Sequence, residues 1–409
     1  MELKPGYKQT EVGVIPEDWE VKKLGDLCRS IVDGTHFTPR YVNDGIPFYS
    51  VENVTANNFT DTKFISLKEH SELTKRCKPE KGDILLTRIG SLGDTKLIDW
   101  DVNASIYVSL ALLKPSDQVL GDYLYRYSES SQFVRDVEKL SLVNATPKKI
   151  NMGDIGNVPI PVPPLPEQRA IAAALSKVDA LIASLDNLIT KKRDIKQAAM
   201  QQLLTGKKRL PGFSGEWEVK KLGEIAEVDT DNLSSNTNPD YSFKYISLED
   251  IDRGVLRGYS ELVFRFAPSR ARRKVKRNDI LFSTVRPNLK SHLLVRDDVS
   301  DLICSTGFSV LRCNPSLAIP AYVYFHLFAN DIERQIESLL TGSNYPAING
   351  SDVKALQIPL PSLLEQQAIA AILSDMDAEI AALEQKREKT RLLKQGMMQE
   401  LLTGKTRLL

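Results

Sequence analysis

The apolar positions of this chain change their spacing twice. From Glu167 onward, Ile171, Leu175, Val178, Ile182, Leu185 and Ile189 step by four and three, and Ile369, Leu373, Met376, Ile380 and Leu383 repeat the alternation. That is the seam of a coiled coil. Proline is absent from 167–210 and from 362–409, so each helix can run from its Glu-Gln pair to its Leu-Leu-Thr end, 39 residues. At 1.5 Å per residue that is roughly 58 Å. Surface helices seldom reach such a length alone, so the two are expected to pair with each other. The connection between them is a whole globular domain, and an antiparallel pair would put the two globular domains at opposite ends of a rod.

Ahead of each helix the pattern is shorter. Lys81-Gly82-Asp83 and Arg277-Asn278-Asp279 are turns feeding the apolar strands that begin at Ile84 and Ile280. Segments 106–113 and 307–312 read as strands. Segments 123–140 and 321–340 read as helices packed on a sheet, with Pro147 and Pro346 closing the helical pattern. The expected class is mixed α/β (α+β).

These patterns are two copies of one plan. Trp19-Glu20-Val21-Lys22-Lys23-Leu24-Gly25 returns as Trp217-Glu218-Val219-Lys220-Lys221-Leu222-Gly223. Ile160-Pro161-Val162-Pro163 returns as Ile358-Pro359-Leu360-Pro361, and Leu203-Leu204-Thr205-Gly206-Lys207 as Leu401-Leu402-Thr403-Gly404-Lys405. The offset is 198 each time. A period so long means a duplicated domain with its tail, not a solenoid. The expected segments are a first domain at 1–160, a first helix region at 161–210, a second domain at 211–357 and a second helix region at 358–409. Between the shared segments the copies diverge, as two similar scaffolds with different binding surfaces would.

Charge adds a location. The 54 Lys and Arg balance 53 Asp and Glu, which excludes a uniformly basic nucleic-acid coat but not a local basic face. Arg265, Arg270, Arg272, Arg273, Lys274, Lys276 and Arg277 fall within thirteen residues, and Arg286, Lys290 and His292 follow one strand later. The first copy has Lys75, Arg76, Lys78 and Lys81, then Arg88. Convergent cations of this kind suit phosphates, and arginine suits guanine O6 and N7. The loops Gly34-Thr35-His36-Phe37-Thr38, Gly90-Ser91-Leu92-Gly93 and Thr341-Gly342-Ser343-Asn344-Tyr345 supply further candidate contacts. Lys191-Lys192-Arg193 and Lys207-Lys208-Arg209 face either nucleic acid or water. Residues 167–210 hold nine Lys or Arg and four Asp or Glu, whereas 365–409 hold seven of each.

Other chemistry is not called for. Cys28, Cys77, Cys304 and Cys313 show no metal-ligand spacing, and the four histidines are scattered. Thiols in a reducing compartment are expected. There is no phosphate-binding G-x-x-x-x-G-K-[S/T] run, no Gly-x-Gly cofactor loop after a strand, and no Asn-Pro-Pro-Tyr or Asp-Pro-Pro-Tyr run. No apolar run is long enough to span a membrane, and the N-terminal residues do not read as a signal peptide, so a cytoplasmic protein is expected.

Pro163-Pro164-Leu165-Pro166-Glu167-Gln168 with Ile171-Ala172-Ala173, the Leu203–Lys207 helix end and Pro211-Gly212-Phe213-Ser214-Gly215-Glu216-Trp217 together resemble the DNA-specificity subunits of type I restriction-modification enzymes. The duplicated plan extends the resemblance over essentially the full length. The second helix start departs from the pattern, with Leu363-Leu364 where the first copy has Leu165-Pro166, yet Glu365-Gln366 keeps the register. The resemblance implies two target-recognition domains, near 15–150 and 213–350, each binding half of a split site in double-stranded DNA. It implies two antiparallel helices, near 167–205 and 365–403, that set the spacer. It implies no catalysis and no cofactor in this chain, two adenine-methylating subunits that bring S-adenosylmethionine, and, in the full restriction enzyme, two translocase-nuclease subunits that use ATP and Mg2+. The alternative is a non-DNA interaction scaffold, two tandem protein-binding domains on a coiled coil, which would show no salt-dependent duplex binding.

Overall fold

The computed structural model describes residues 4–142, 144–252, 254–340 and 346–408. The chain divides into two compact units, 1–186 with 386–409, and 187–385. Each therefore contains part of both long helices.

In the first unit the segments that repeat are the segments that touch. Glu20–Lys23 pairs antiparallel with the proline-rich strap Pro159–Val162, Glu20 opposite Val162 and Lys23 opposite Pro159. The main sheet runs in the order Cys28–Asp33, Leu110–Pro115, Ile84–Thr87, Thr95–Leu97, all antiparallel. Its central strands present apolar side chains to both faces, because both faces are covered. Ile84, Leu86, Ala111 and Leu113 pack with Tyr123, Leu124, Phe133 and Val137 of the helices Gly121–Ser128 and Ser131–Lys139. Leu85, Leu110 and Leu112 face the opposite way, toward Tyr49, Ile98 and Ile106. A second sheet follows the order Ser105–Ile106, Ile46–Tyr49, Lys63–Ile65, Tyr41–Val42.

The second unit keeps the frame. Glu218–Lys221 pairs with Gln357–Leu360, and the main sheet is Ala226–Val228, Phe308–Cys313, Ile280–Ser283, Leu293–Leu294. Ile280, Phe282 and Leu311 enter one core, Leu281, Phe308 and Val310 another. The second sheet keeps one parallel pair, Ser242–Ile246 beside Leu302–Ser305, but flanks it with Ser260–Val263 and Ala271–Val275. The divergence seen in sequence is thus concentrated in the second sheet.

Three expected elements differ in detail. The strand expected over 106–113 is interrupted: Ser105–Ile106 and Leu110–Pro115 belong to different sheets. Each long amphipathic segment on the sheet is two helices, because Ser130 caps a new start by accepting from Phe133 N, and a second start falls at Asn330. The long helices span Leu165–Leu203 and Leu363–Leu401, 39 residues each. The first begins two residues before Glu167, since proline is tolerated in a first helical turn.

The helices run antiparallel within each unit. In the first, Lys394 reaches Asp179 at 2.8 Å and Arg387 reaches Asp186 at 3.0 Å. In the second, Lys192 meets Glu379 at 2.6 Å and Lys196 meets Asp377 at 2.5 Å. Lys192 and Arg193 of the basic run thus find carboxylates on the second helix. Helix ends also build the domain cores. Ile171 and Leu175 pack with Leu401 and Leu402 in the first unit, and Ile369 and Leu373 share a core with Met200, Leu203 and Leu204 in the second.

A buried clasp fastens each junction. Glu167 is fully buried and accepts from Trp19 Nε1 at 2.9 Å and from Arg407 Nε and Nη2 at 2.7 and 2.8 Å. Glu365 accepts from Trp217 Nε1 at 3.2 Å and from Arg209 at 2.6 and 2.7 Å. The hydrogen bonds to Glu167 and Asp18 hold the Arg407 pKa well above its usual range. The neighbouring glutamines work alike. Gln168 accepts from Leu120 N and donates to Pro163 O, while Gln366 accepts from Ile319 N and donates to Pro361 O, all at 2.9 Å. Gly206 and Gly404 end their helices at φ +69° and +68°. At Gly404 a β-carbon would strike Pro16.

The second unit also buries His292 and His326, each with an unpartnered Nε2. Burial is the main cause that lowers both pKa values to about 3, with Lys290 acting the same way on His292 and Asp331 opposing it on His326. An unfolded histidine takes up a proton near pH 6.5, so the unfolded state gains protons first and stability falls as pH drops from about 6.5 toward 3. The melting temperature should fall by roughly 10 °C between pH 7 and pH 5, and His326→Phe should remove about half of that fall. Thermal melts across this range check it, and equal profiles for the two proteins would refute it.

Candidate nucleic-acid interface

The first strand of each main sheet ends at a carboxylate. Asp33 closes Cys28–Asp33, only 3 % exposed, opposite Ala111. It accepts from His36 Nε2 at 2.8 Å, from Arg88 Nη1 at 3.4 Å and from Arg76 Nη2. Asp229 follows Ala226–Val228 and accepts from Val310 N at 2.8 Å, from Ser309 Oγ at 3.1 Å and from Arg273 Nη1 at 2.7 Å. A second pair repeats behind the first: Lys114 on Asp83 at 2.5 Å, and Arg312 on Asp279 at 2.9 and 2.7 Å. Neither aspartate of the first pair is prominent in sequence. The available signal is the dipeptide Val32-Asp33 and Val228-Asp229, at an offset of 196 rather than 198.

Around Asp33 the fold gathers three features that are far apart in sequence: the Gly34–Thr38 loop, Arg76 and Arg88. Arg88 is 7 % exposed and also donates to Val108 O at 3.0 Å and Ile150 O at 3.3 Å. Burial lowers its pKa while Asp33 raises it. Arg76, His36 and Phe37 remain exposed at the rim. Gly34 is required there, because a β-carbon would run into the Ile106 carbonyl. Lys75 and Lys78 are exposed beside carboxylates of their own segment, Glu72 at 2.6 Å and Glu80 at 4.0 Å. In the Gly90–Gly93 loop Ser91 donates to Asp94.

In the second unit the basic stretch lies along Ala271–Val275 and its flanks. Arg273 goes to Asp229, and Lys274 and Lys276 go to Asp231 at 3.4 and 3.1 Å. Arg272 lies over the Phe264 ring at 4.9 Å, and Arg265 pairs with Asp240 beside Phe266, which is 80 % exposed. Arg270 and Arg277 are exposed and have no ion-pair partner among the described residues. Exposed Arg286 and half-buried Lys290 flank the short turn Pro287–Leu289, both with left-handed backbone at φ +48° and +56°. Lys290 meets Glu333 at 3.0 Å, and His292 is enclosed in the core. The Thr341–Tyr345 loop lies outside the described residues. Counting cations along the sequence missed the acids Asp229, Asp231 and Asp240 that meet them, and missed the exposed Phe37 and Phe266.

Similarity to known proteins establishes the family. A family model described as type I restriction modification DNA specificity domain matches residues 16–192 and again 214–392. The chain belongs to that family. As a specificity subunit it is the non-catalytic, DNA-recognising member of a type I restriction-modification complex. It is 24 % identical over 431 residues to the type I restriction enzyme MjaVIII specificity subunit of Methanocaldococcus jannaschii, covering 96 % of this chain and 94 % of that one. It is 22 % identical over 396 residues to the EcoKI specificity subunit of Escherichia coli, covering 87 % and 82 %. The fold is that of a type I restriction-modification S subunit from M. genitalium, with a TM-score of 0.60, 16 % identity and 98 % of both chains aligned. Among the described residues no helix is long and apolar enough to cross a membrane, and no group of His, Cys, Asp or Glu could hold a metal ion.

Within this specificity subunit, Arg88 and the exposed lysines separate by energetics. Arg88→Ala should cost about 2–4 kcal/mol, because buried Asp33 and two carbonyls lose a donor. Lys75→Ala and Lys78→Ala should stay within about 0.5 kcal/mol. Denaturant titration distinguishes them, and equal costs would show that Arg88 is not part of the frame.

Proposed function

We propose that each unit reads one half of a split site in double-stranded DNA, and that the paired helices fix the spacer between the halves. The single observation carrying this is the duplicated frame with unlike second sheets: two readers of common build and separate specificity. Target-recognition domains at 1–160 and 211–357 and helix regions at 161–210 and 358–409 are the corresponding functional segments. Lys75, Arg76, Lys78, Arg265, Arg270, Arg272, Lys276, Arg277, Arg286 and Lys290 carry the duplex contacts. Arg88, Arg273 and Lys274 support them from within the frame. Neutralising phosphates with such residues releases counterions and makes binding salt-dependent. The protein works in the cytoplasm with two methylating subunits, which supply S-adenosylmethionine and modify adenine. In the full restriction enzyme two translocase subunits supply ATP- and Mg2+-dependent work.

Mapping methylated adenines in cells that express this chain with its methylating partner tests the reading. A single bipartite motif with a fixed spacer is expected. Inserting one heptad after Asp186 and one after Gln385 should change the spacer and leave both half-sites intact. No bipartite motif, or an unchanged spacer in the lengthened protein, would overturn it.

A further inference from the structure

We propose that Arg76 reads a guanine in the half-site of the first unit, with Asp33 as the residue that positions it; this rests on the duplex-reading role proposed above. The first observation is charge. One buried carboxylate, Asp33, faces two guanidiniums, Arg76 and Arg88, and arginine is always charged. One positive charge is left over. Arg88 is enclosed, so the excess is presented by Arg76, whose side chain is 58 % exposed.

The second observation is the donor count. A guanidinium has five N–H groups in a rigid plane. Arg76 spends one on Asp33 and one on Gly34 O at 3.4 Å. Three remain, and a guanine edge needs two, for O6 and N7. Anchoring one side of the fork fixes the plane before DNA arrives, which lowers the ordering cost of binding. Gly34 contributes because the loop is pressed onto Ile106 with no room for a side chain. Exposed Phe37 and His36, on the same loop, give the rim the aromatic and hydrogen-bonding character of a base-reading surface.

The second unit sharpens the argument by contrast. There Asp229 takes the matching place at the end of the first main-sheet strand, but its partner Arg273 comes from the strand Ala271–Val275, is only 18 % exposed and has its Nε buried without a partner. There the pair is part of the frame. In the first unit the arginine on the corresponding carboxylate opens outward, so a carboxylate–guanidinium pair at this strand end serves the fold in one copy and recognition in the other.

The test uses the full chain with its methylating partner and a plasmid library of randomised inserts, with methylated sites read by sequencing. Arg76→Lys keeps the charge and loses the fork; Arg76→Ala loses both. Both should relax discrimination roughly 10- to 100-fold at one G·C pair of one half-site, leave the other half-site unchanged, and leave the melting temperature near that of the parent. Asp33→Asn should relax the same pair and no other. An unaltered motif in Arg76→Lys and Arg76→Ala, or an equal weakening at every position, overturns the assignment. A parent protein that yields no split motif overturns the duplex-reading role, and the Arg76 proposal with it.

Discussion

A buried carboxylate must be fully hydrogen-bonded or its fold is lost, and this chain buries two of them at the starts of its long helices. Glu167 and Glu365 cannot be satisfied by their own helices. Each needs a tryptophan from the first segment of its domain and an arginine that follows the end of the other long helix. The glutamine beside each glutamate ties the strap to the loop before the domain's helices. One constraint thereby draws the Trp motif, the strap, one helix start and one helix end to a single point in each unit. These are the segments that repeat at an offset of 198.

Once the junction is fixed, the rest of a domain is freer. The main sheet is sealed on both faces by apolar side chains, so its central strands have little latitude. The second sheet is where the copies differ in strand order, and in the second unit it carries the basic strand Ala271–Val275, with exposed Phe266 just ahead of it. A frame that tolerates replacement of one layer suits a protein whose two halves recognise different things. The Asp33–Arg76 and Asp229–Arg273 pairs show the change at the level of one contact: a carboxylate at the end of the first main-sheet strand meets a guanidinium that is 58 % exposed in one unit and 18 % exposed in the other.

Much of the frame was legible in the sequence because it rests on period and repetition. Heptad spacing gave the helices, apolar runs after Gly82 and Asn278 gave the central strands, and the offset gave the duplication. The ends of elements were less legible, since they turn on single caps such as Ser130. The surface was the least legible part. Seven cations in thirteen residues looked like one basic patch, but their pairing with Asp229, Asp231 and Asp240 is a tertiary fact without a local trace. Arg88 reads like any surface arginine until Asp33, Val108 and Ile150 are placed around it. Lys192 and Arg193 likewise could face DNA or water by sequence, and find acids on the second long helix instead.

The clasp is best tested by a double-mutant cycle on Glu167 and Arg407, using Glu167→Gln, Arg407→Leu and the pair, each measured by denaturant unfolding. The contact of Arg407 with Asp18 is common to both backgrounds and cancels. If the buried carboxylate organises the junction, Arg407→Leu costs about 3–5 kcal/mol in the parent and much less beside Glu167→Gln, a coupling of about 2 kcal/mol or more. Additivity within about 0.5 kcal/mol would mean that the clasp is incidental and that the apolar core alone holds each helix to its domain.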